Sequence, residues 1–328
     1  MRYSIKVDQT VMQFRLELAH GSNLLQKEAH HTKYLDAESR QYLAEIREKY
    51  NAWHLANAQL IGPSAKCLDQ DQEIVQQRVV LLEEYKDFLD QQHYAEKFDS
   101  RSNLHSSVLE EFLYYLFRDL VADFGENALI GKSHAFKDIF FAPPNYQGMM
   151  ERAHARIEIK DHDFVIGVTI SANLDLKTNR NHEKDGQLRI AEEPGEYTAR
   201  WQENSEIHYF DIAAVAIECK TYLDKTMLEG SSRAAEQLKA RNPNSLYIVV
   251  MEWLKLTSAV NLRKYEVDQI YVFRKQKNTD REFRFADSYH KKPIDPNVVW
   301  HLYQTVRNHL TKDWEGGVEQ GLERGWLL

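Results

Sequence analysis

Cysteine is nearly absent: Cys67 and Cys219 are the only two in 328 residues. Two thiols cannot build a disulfide framework or a four-cysteine zinc site, and each is expected to act as a small buried hydrophobe. No stretch approaches the roughly 18 apolar residues of a membrane span. "MRYSIKVDQTVMQF" carries neither the apolar core nor the cleavage site of a signal peptide, so a cytoplasmic protein is expected. Excess positive charge is missing too, with 42 Lys and Arg against 50 Asp and Glu and a formal charge of −8. That excludes a basic coat for indiscriminate nucleic-acid storage, while a local basic cleft remains compatible. The 14 histidines show no H-E-x-x-H and no paired ligand spacing, which argues against a zinc hydrolase. A nucleotide loop is lacking as well. "GENALIGKS" is similar to one, but five residues rather than four separate Gly125 from Gly131, and a helix rather than a strand precedes them. "GGVEQGLERG" spaces Gly317, Gly321 and Gly325 with no strand before them and reads as a tail or a loosely packed helix.

What remains is an ordinary globular composition, 43% hydrophobic and 28% charged. Residues 1 to about 100 read as helices. "SRQYLAEIREKYNAWHLANAQLI" and "QDQEIVQQRVVLLEEYKDFLDQQHYAEKF" repeat apolar residues every three or four positions, on either side of the link "IGPSAKCLD". A third helix, "SNLHSSVLEEFLYYLFRDLVADFG", starts at Ser and Asn capping residues. Beyond it come short runs rich in Val, Ile, Phe and Tyr: "DIFFAPP", "DFVIGVTI", "IAAVAIECK", "SLYIVVMEWL" and "QIYVFRK". These predict strands, with "DKTMLEGSSRAAEQLKARN" a helix between two of them and "NVVWHLYQTVRNHL" a helix packed on the sheet. The expected fold is α/β (α+β): a helical region over 1–100, then a mixed-sheet domain over 101–328 with a polar loop inserted at about 171–206. A loop of that length usually serves function.

In "AVAIECKTYLDKTMLEG" an acid and a base sit inside an apolar strand. Side chains alternate along a strand, so Ala214, Ala216, Glu218 and Lys220 are expected on one face and Val215, Ile217 and Cys219 on the other. Taken alone, Glu218 and Lys220 read as an ion pair. A second acid, Asp163, opens the strand "DFVIGVTI". Were the two strands neighbours, Asp163 and Glu218 could share one hard cation, for which carboxylates favour Mg²⁺, with Lys220 beside it. Such a set suits phosphodiester hydrolysis. Asp211 is nearer to Glu218 in sequence but an odd number of residues away, which points it to the other face. Asp161 shares the parity of Asp163 and is a candidate supporting group.

With these residues the chain resembles the PD-(D/E)xK nucleases, and among them type II restriction endonucleases, over about residues 101 to 275. Asp163 in "HDFVIG" matches the first acid, with His162 in place of the proline, and Glu218 and Lys220 match the E-x-K half. "HSSVLEEFLYYLF", "GKSHAFKDIFF" and "ECKTYLDKTMLEG" are similar to the branch that includes subunits of heterodimeric enzymes cutting short asymmetric sites. The resemblance implies Mg²⁺-dependent cleavage of double-stranded DNA at a specific short sequence, by a homodimer or a heterodimer with a related subunit. It also implies a helix-borne glutamate before the first acid: Glu110, at the margin of the apolar arc, or Glu111, nearly opposite it, with Glu110 preferred. Lys132, His134 and Lys137, and in the inserted loop Lys177, Arg180, Asn181 and Lys184, are candidates for DNA contact. Two other readings stand beside this one: a repair or mobile-element nuclease on the same core, and a non-catalytic DNA-binding protein.

Overall fold

The computed structural model describes residues 18–64, 68–98, 104–125, 128–151, 155–173, 207–279 and 281–312, together with 314, 322 and 325. Four helices come first: α1 (Ala19–Glu28), α2 (Ala37–Gln59), α3 (Leu68–Leu89) and the short α4 (Gln92–Lys97). Asp36 starts α2 by accepting from the Ser39 amide at 2.9 Å, the usual way an acidic N-cap satisfies an orphan donor. The run expected as one helix over 70–98 is broken at Asp90 and Gln91 into α3 and α4. Next come α5 (Leu104–Ala122), β1 (Ala128–Phe141), α6 (Tyr146–Glu151), β2 (Ala155–Asn173) and β3 (Ile207–Leu223). The chain continues through α7 (Lys225–Lys239), β4 (Leu246–Leu254), β5 (Gln269–Lys277) and α8 (Pro296–Thr311). Asp224 caps α7, and Asp295 followed by Pro296 opens α8.

The strands form one mixed sheet in the order β1-β2-β3-β4-β5. β1, β2 and β3 run antiparallel, whereas β3-β4 and β4-β5 are parallel. A parallel neighbour needs a crossover, and α7 supplies it between β3 and β4. Alternation along the strands feeds two cores. Phe164, Ile166, Val215, Ile217, Ile248 and Phe273 face α5, α8 and the N-terminal helices, while Val165, Ala216, Val249 and Met251 face α7. Leu24, Leu43 and Leu82 of the N-terminal helices belong to the same hydrophobic cluster as Phe164 and Ile217 of the sheet. The helical region and the sheet therefore share one core.

Charge crosses this boundary too. Lys86 of α3 is fully buried and ion-paired with buried Glu252 of β4, which also accepts from Arg274 Nε of β5 at 3.1 Å. Arg274 Nη1 donates to Glu83 of α3 at 2.7 Å. No described helix is long and apolar enough to cross a membrane. Of the two cysteines, Cys219 is a free, buried thiol in the larger core; Cys67 lies outside the described residues. The glycine-spaced segment of 317–325 falls almost wholly outside them as well.

Candidate active site

β2 and β3 are neighbours, and two irregularities in their pairing decide what faces what. Between Gly131↔Val165 and Ser133↔His162, β1 advances two residues while β2 advances three, so Asp163 and Phe164 both stand opposite Lys132. Such a bulge re-aims a side chain. Gly131 adopts φ +118° there, a conformation that glycine takes at low cost, so the glycine of the loop-like "GENALIGKS" serves a strand irregularity. Between Ile166↔Val215 and Gly167↔Ala213 the extra residue is Ala214 of β3.

At this point the chain departs from simple alternation. The bulge at Ala214 moves Ala213, not Ala214, into the α7-side core with Ala216. Asp211 is thereby returned to the parity of Glu218, opposite to the expectation. It is kept from the site by distance, because seven residues of extended strand separate the two, roughly 20 Å. Its carboxylate accepts instead from Ser133 Oγ and Thr169 Oγ1, each at 2.7 Å. Asp161 is also elsewhere, exposed and paired with His134 across the β1–β2 ladder.

Asp163, Glu218 and Lys220 come together. Lys220 Nζ lies 2.8 Å from Glu218 Oε1 and 3.5 Å from Asp163 Oδ2. The same Asp163 oxygen accepts from the Cys219 amide at 2.9 Å, tying the first acid to the middle of the E-x-K segment. Burial alone would raise the Glu218 pKa. The Lys220 charge and the hydrogen bonds from Lys220 and Tyr247, with the Ser231 hydroxyl close by, outweigh it, leaving the carboxyl below its ordinary value. Burial likewise opposes the Lys220 ammonium, but Asp163 and Glu218 hold its pKa above the usual lysine value.

Glu110 of α5 joins this set from the helical side. Burial, and then the negative charge of Asp163, push its carboxyl up to about 7, against the opposing pull of Lys132 and Lys220. Glu111, the other candidate for that helix-borne glutamate, is engaged elsewhere. It is fully buried, and its Oε2 accepts from the His20 and Gly21 amides at 3.0 and 3.1 Å, capping the start of α1. Its Oε1 accepts from Tyr115 OH at 2.7 Å. The helical wheel of α5 cannot show this, because the partner on that face is another helix's N-terminus.

Two hydroxyls beside Glu218 escape a reading of the strand motifs: that of Tyr247 on β4, and that of Ser231 on α7, which donates to the Met227 carbonyl at 3.0 Å. Tyr247 OH donates to Glu218 Oε2 at 3.0 Å. Tyr247 stands in register with Ala216, whose small side chain leaves its ring room on the α7 side of the sheet. His162, which stands where the nuclease motif named from the sequence would have proline, is buried with its ring edge-on to Tyr247, centroids 6.0 Å apart. Burial lowers its pKa, so it is neutral near pH 7.

Among the described residues, no three His, Cys, Asp or Glu side chains are grouped so as to hold a metal ion by themselves. The donor set nevertheless suits one class of ion. Mg²⁺ is typically held through only one or two carboxylates plus water and substrate phosphate, and Asp163 and Glu218 provide two hard oxygen donors bridged by an ammonium. Burial is the main reason the Glu110 pKa is raised, and the Asp163 charge that adds to it is what a divalent cation would offset.

Of the cations proposed for DNA, Lys132 is exposed on β1 and close enough to act on Glu110. His134 is paired with Asp161 and Lys137 with Glu158. Lys177, Arg180, Asn181 and Lys184 lie outside the described residues.

A family model described as the Bpu10I restriction endonuclease matches residues 101–193 and 194–327. A solved structure, "native BbvCI A2B2 tetramer at low resolution", matches with a TM-score of 0.59 and 20% identity, over 92% of this chain and 99% of that one. At that identity the likeness is one of fold. No curated protein matches the chain.

Proposed function

The chain belongs to the Bpu10I restriction endonuclease family, a type II site-specific nuclease, and from that premise we propose that Asp163, Glu218, Lys220 and Glu110 carry Mg²⁺-dependent hydrolysis of double-stranded DNA at one short sequence. The observation that supports this is the convergence of Lys220 on both acids, 2.8 Å from one and 3.5 Å from the other. Asp163 and Glu218 would hold the cation. When bound, such an ion neutralises charge developing on the phosphoryl group and lowers the pKa of water. Lys220 keeps its proton throughout the neutral range and presents a fixed positive charge where the pentavalent phosphoryl group gathers negative charge. Glu110, pushed up to about 7, can hold or give up a proton near neutral pH and stands on the opposite side of the site from α7. Exposed Lys132 offers a cation for a phosphate, and the other cations named from the sequence remain candidates for the same role.

One such site cuts one strand, so double-strand scission calls for a second subunit, identical or related; the BbvCI neighbour is itself an A2B2 assembly. Incubating supercoiled plasmids of diverse sequence with the protein and Mg²⁺ should give nicked or linear DNA with ends at one sequence. Asp163→Ala and Glu218→Ala should abolish this while duplex binding persists. Full activity of either variant at saturating Mg²⁺ would remove the metal assignment, and scission at unrelated sequences would favour a repair or mobile-element role.

A further inference from the structure

We infer that Tyr247 is a positioning residue: its phenol fixes the Glu218 carboxylate in the orientation that faces Asp163, and so sets the affinity of the site for a divalent cation. This rests on the reading of Asp163 and Glu218 as the cation's carboxylates. The Glu218 carboxylate is held from two sides, by Lys220 on Oε1 at 2.8 Å and by Tyr247 OH on Oε2 at 3.0 Å. The ammonium is on the same strand, at the end of a flexible stem. The phenol is rigid by contrast. Tyr247 is 1% exposed, its ring lies against Ala216 and the edge of His162, and its backbone is clamped on both sides. Asp268 Oδ2 accepts from its amide at 2.7 Å, and its carbonyl accepts from the Asp268 amide at 2.9 Å.

Without the phenol, Glu218 would turn fully toward Lys220, collapsing the two-carboxylate geometry into a plain ion pair. Groups that orient a metal's ligands typically contribute on the order of tenfold to a hundredfold in metal affinity. Tyr247→Phe keeps the ring and its packing and removes only the donor.

Calorimetric titration with Ca²⁺, in the presence of DNA so that chemistry is silent, reads the site without turnover. Tyr247→Phe should weaken Ca²⁺ binding by about tenfold and raise the Mg²⁺ concentration for half-maximal cleavage by a similar factor, while the rate at saturating Mg²⁺ stays within about threefold. Ser231→Ala removes a second hydroxyl beside Glu218, on the α7 side, and should shift both quantities the same way, which keeps the test open if Tyr247→Phe folds poorly. Identical Ca²⁺ isotherms for wild type and both variants would overturn the inference alone. A wild-type isotherm with no binding would overturn it together with the metal assignment.

Discussion

At the scale of single residues, the site is a contest between burial and opposite charge. Lys220 is half-buried and keeps its proton because two carboxylates surround it, so its replacement removes a cation from between two acids. Lys220→Ala should slow the chemical step by on the order of a hundredfold, with metal affinity little changed. Single-turnover kinetics would check this, and an unchanged rate would leave Lys220 as half of an ion pair. Glu218 and Lys220 were readable from the sequence because strand alternation puts an acid and a base two positions apart on one face, a purely local rule, whereas Asp163 joins them only through the pairing of β2 with β3. Glu111 was not readable. Whether a helical glutamate is solvated, catalytic or a cap for another helix depends on what packs against it, and the start of α1 is some 90 residues away in sequence. Tyr247 was hidden for the same reason, since its function depends on the register of β4 with Ala216.

At the scale of elements, the long helices were legible from their apolar spacing, and every named strand run overlaps an observed strand, although "DIFFAPP" runs three residues past the end of β1 and "SLYIVVMEWL" begins one residue before β4. The strand ends were not. β1 starts at Ala128 rather than near Asp138, because as a sheet edge it carries many polar residues and shows little alternation. The bulges were also invisible, and they carry the misassigned parities of Ala214 and Asp211. Gly167 makes one of them possible. A Cβ built there would fall against the Ile212 carbonyl, far inside van der Waals contact with backbone that cannot swing away. Gly167→Ala should therefore destabilise the fold by about 2 kcal/mol or more. Because the shift lies between β2 and β3, cleavage should fall even where the variant remains folded. A denaturant midpoint together with a nicking assay would test both, and wild-type values in each would show that the bulge tolerates a side chain.

At the scale of the whole molecule, the sequence suggested a helical region followed by a nuclease domain, and the two share the larger of the hydrophobic cores, with buried polar groups along the seam. His20 is one of these, fully enclosed, with Nδ1 2.9 Å from Ser107 Oγ and Nε2 2.7 Å from Tyr85 OH. Burial, then the positive charge of Lys86, hold its pKa well below 6.5. The sign follows from proton counting. Above pH 6.5 the imidazole is neutral folded or unfolded; below it the unfolded chain takes a proton that the folded chain refuses, so stability falls as pH drops. Glu110 works in the opposite direction between about 7 and its ordinary value of 4.5, because there the folded state binds the extra proton. His20→Gln should thus lose less stability between pH 7 and 5 than the wild type does, in urea titrations at each pH. Parallel curves would mean that His20 is not the group titrating.

The Lys86–Glu252–Arg274 chain of charges has a bearing on protein engineering. Removing one partner from a buried ion pair leaves the other unpaired in an apolar interior, at a cost of about 3–5 kcal/mol. A chimaera that exchanges residues before the first strand for those of a relative breaks this chain unless the donor brings a lysine at position 86 and an acid at position 83. In this scaffold, then, the N-terminal helices are exchangeable only together with charges matched to β4 and β5.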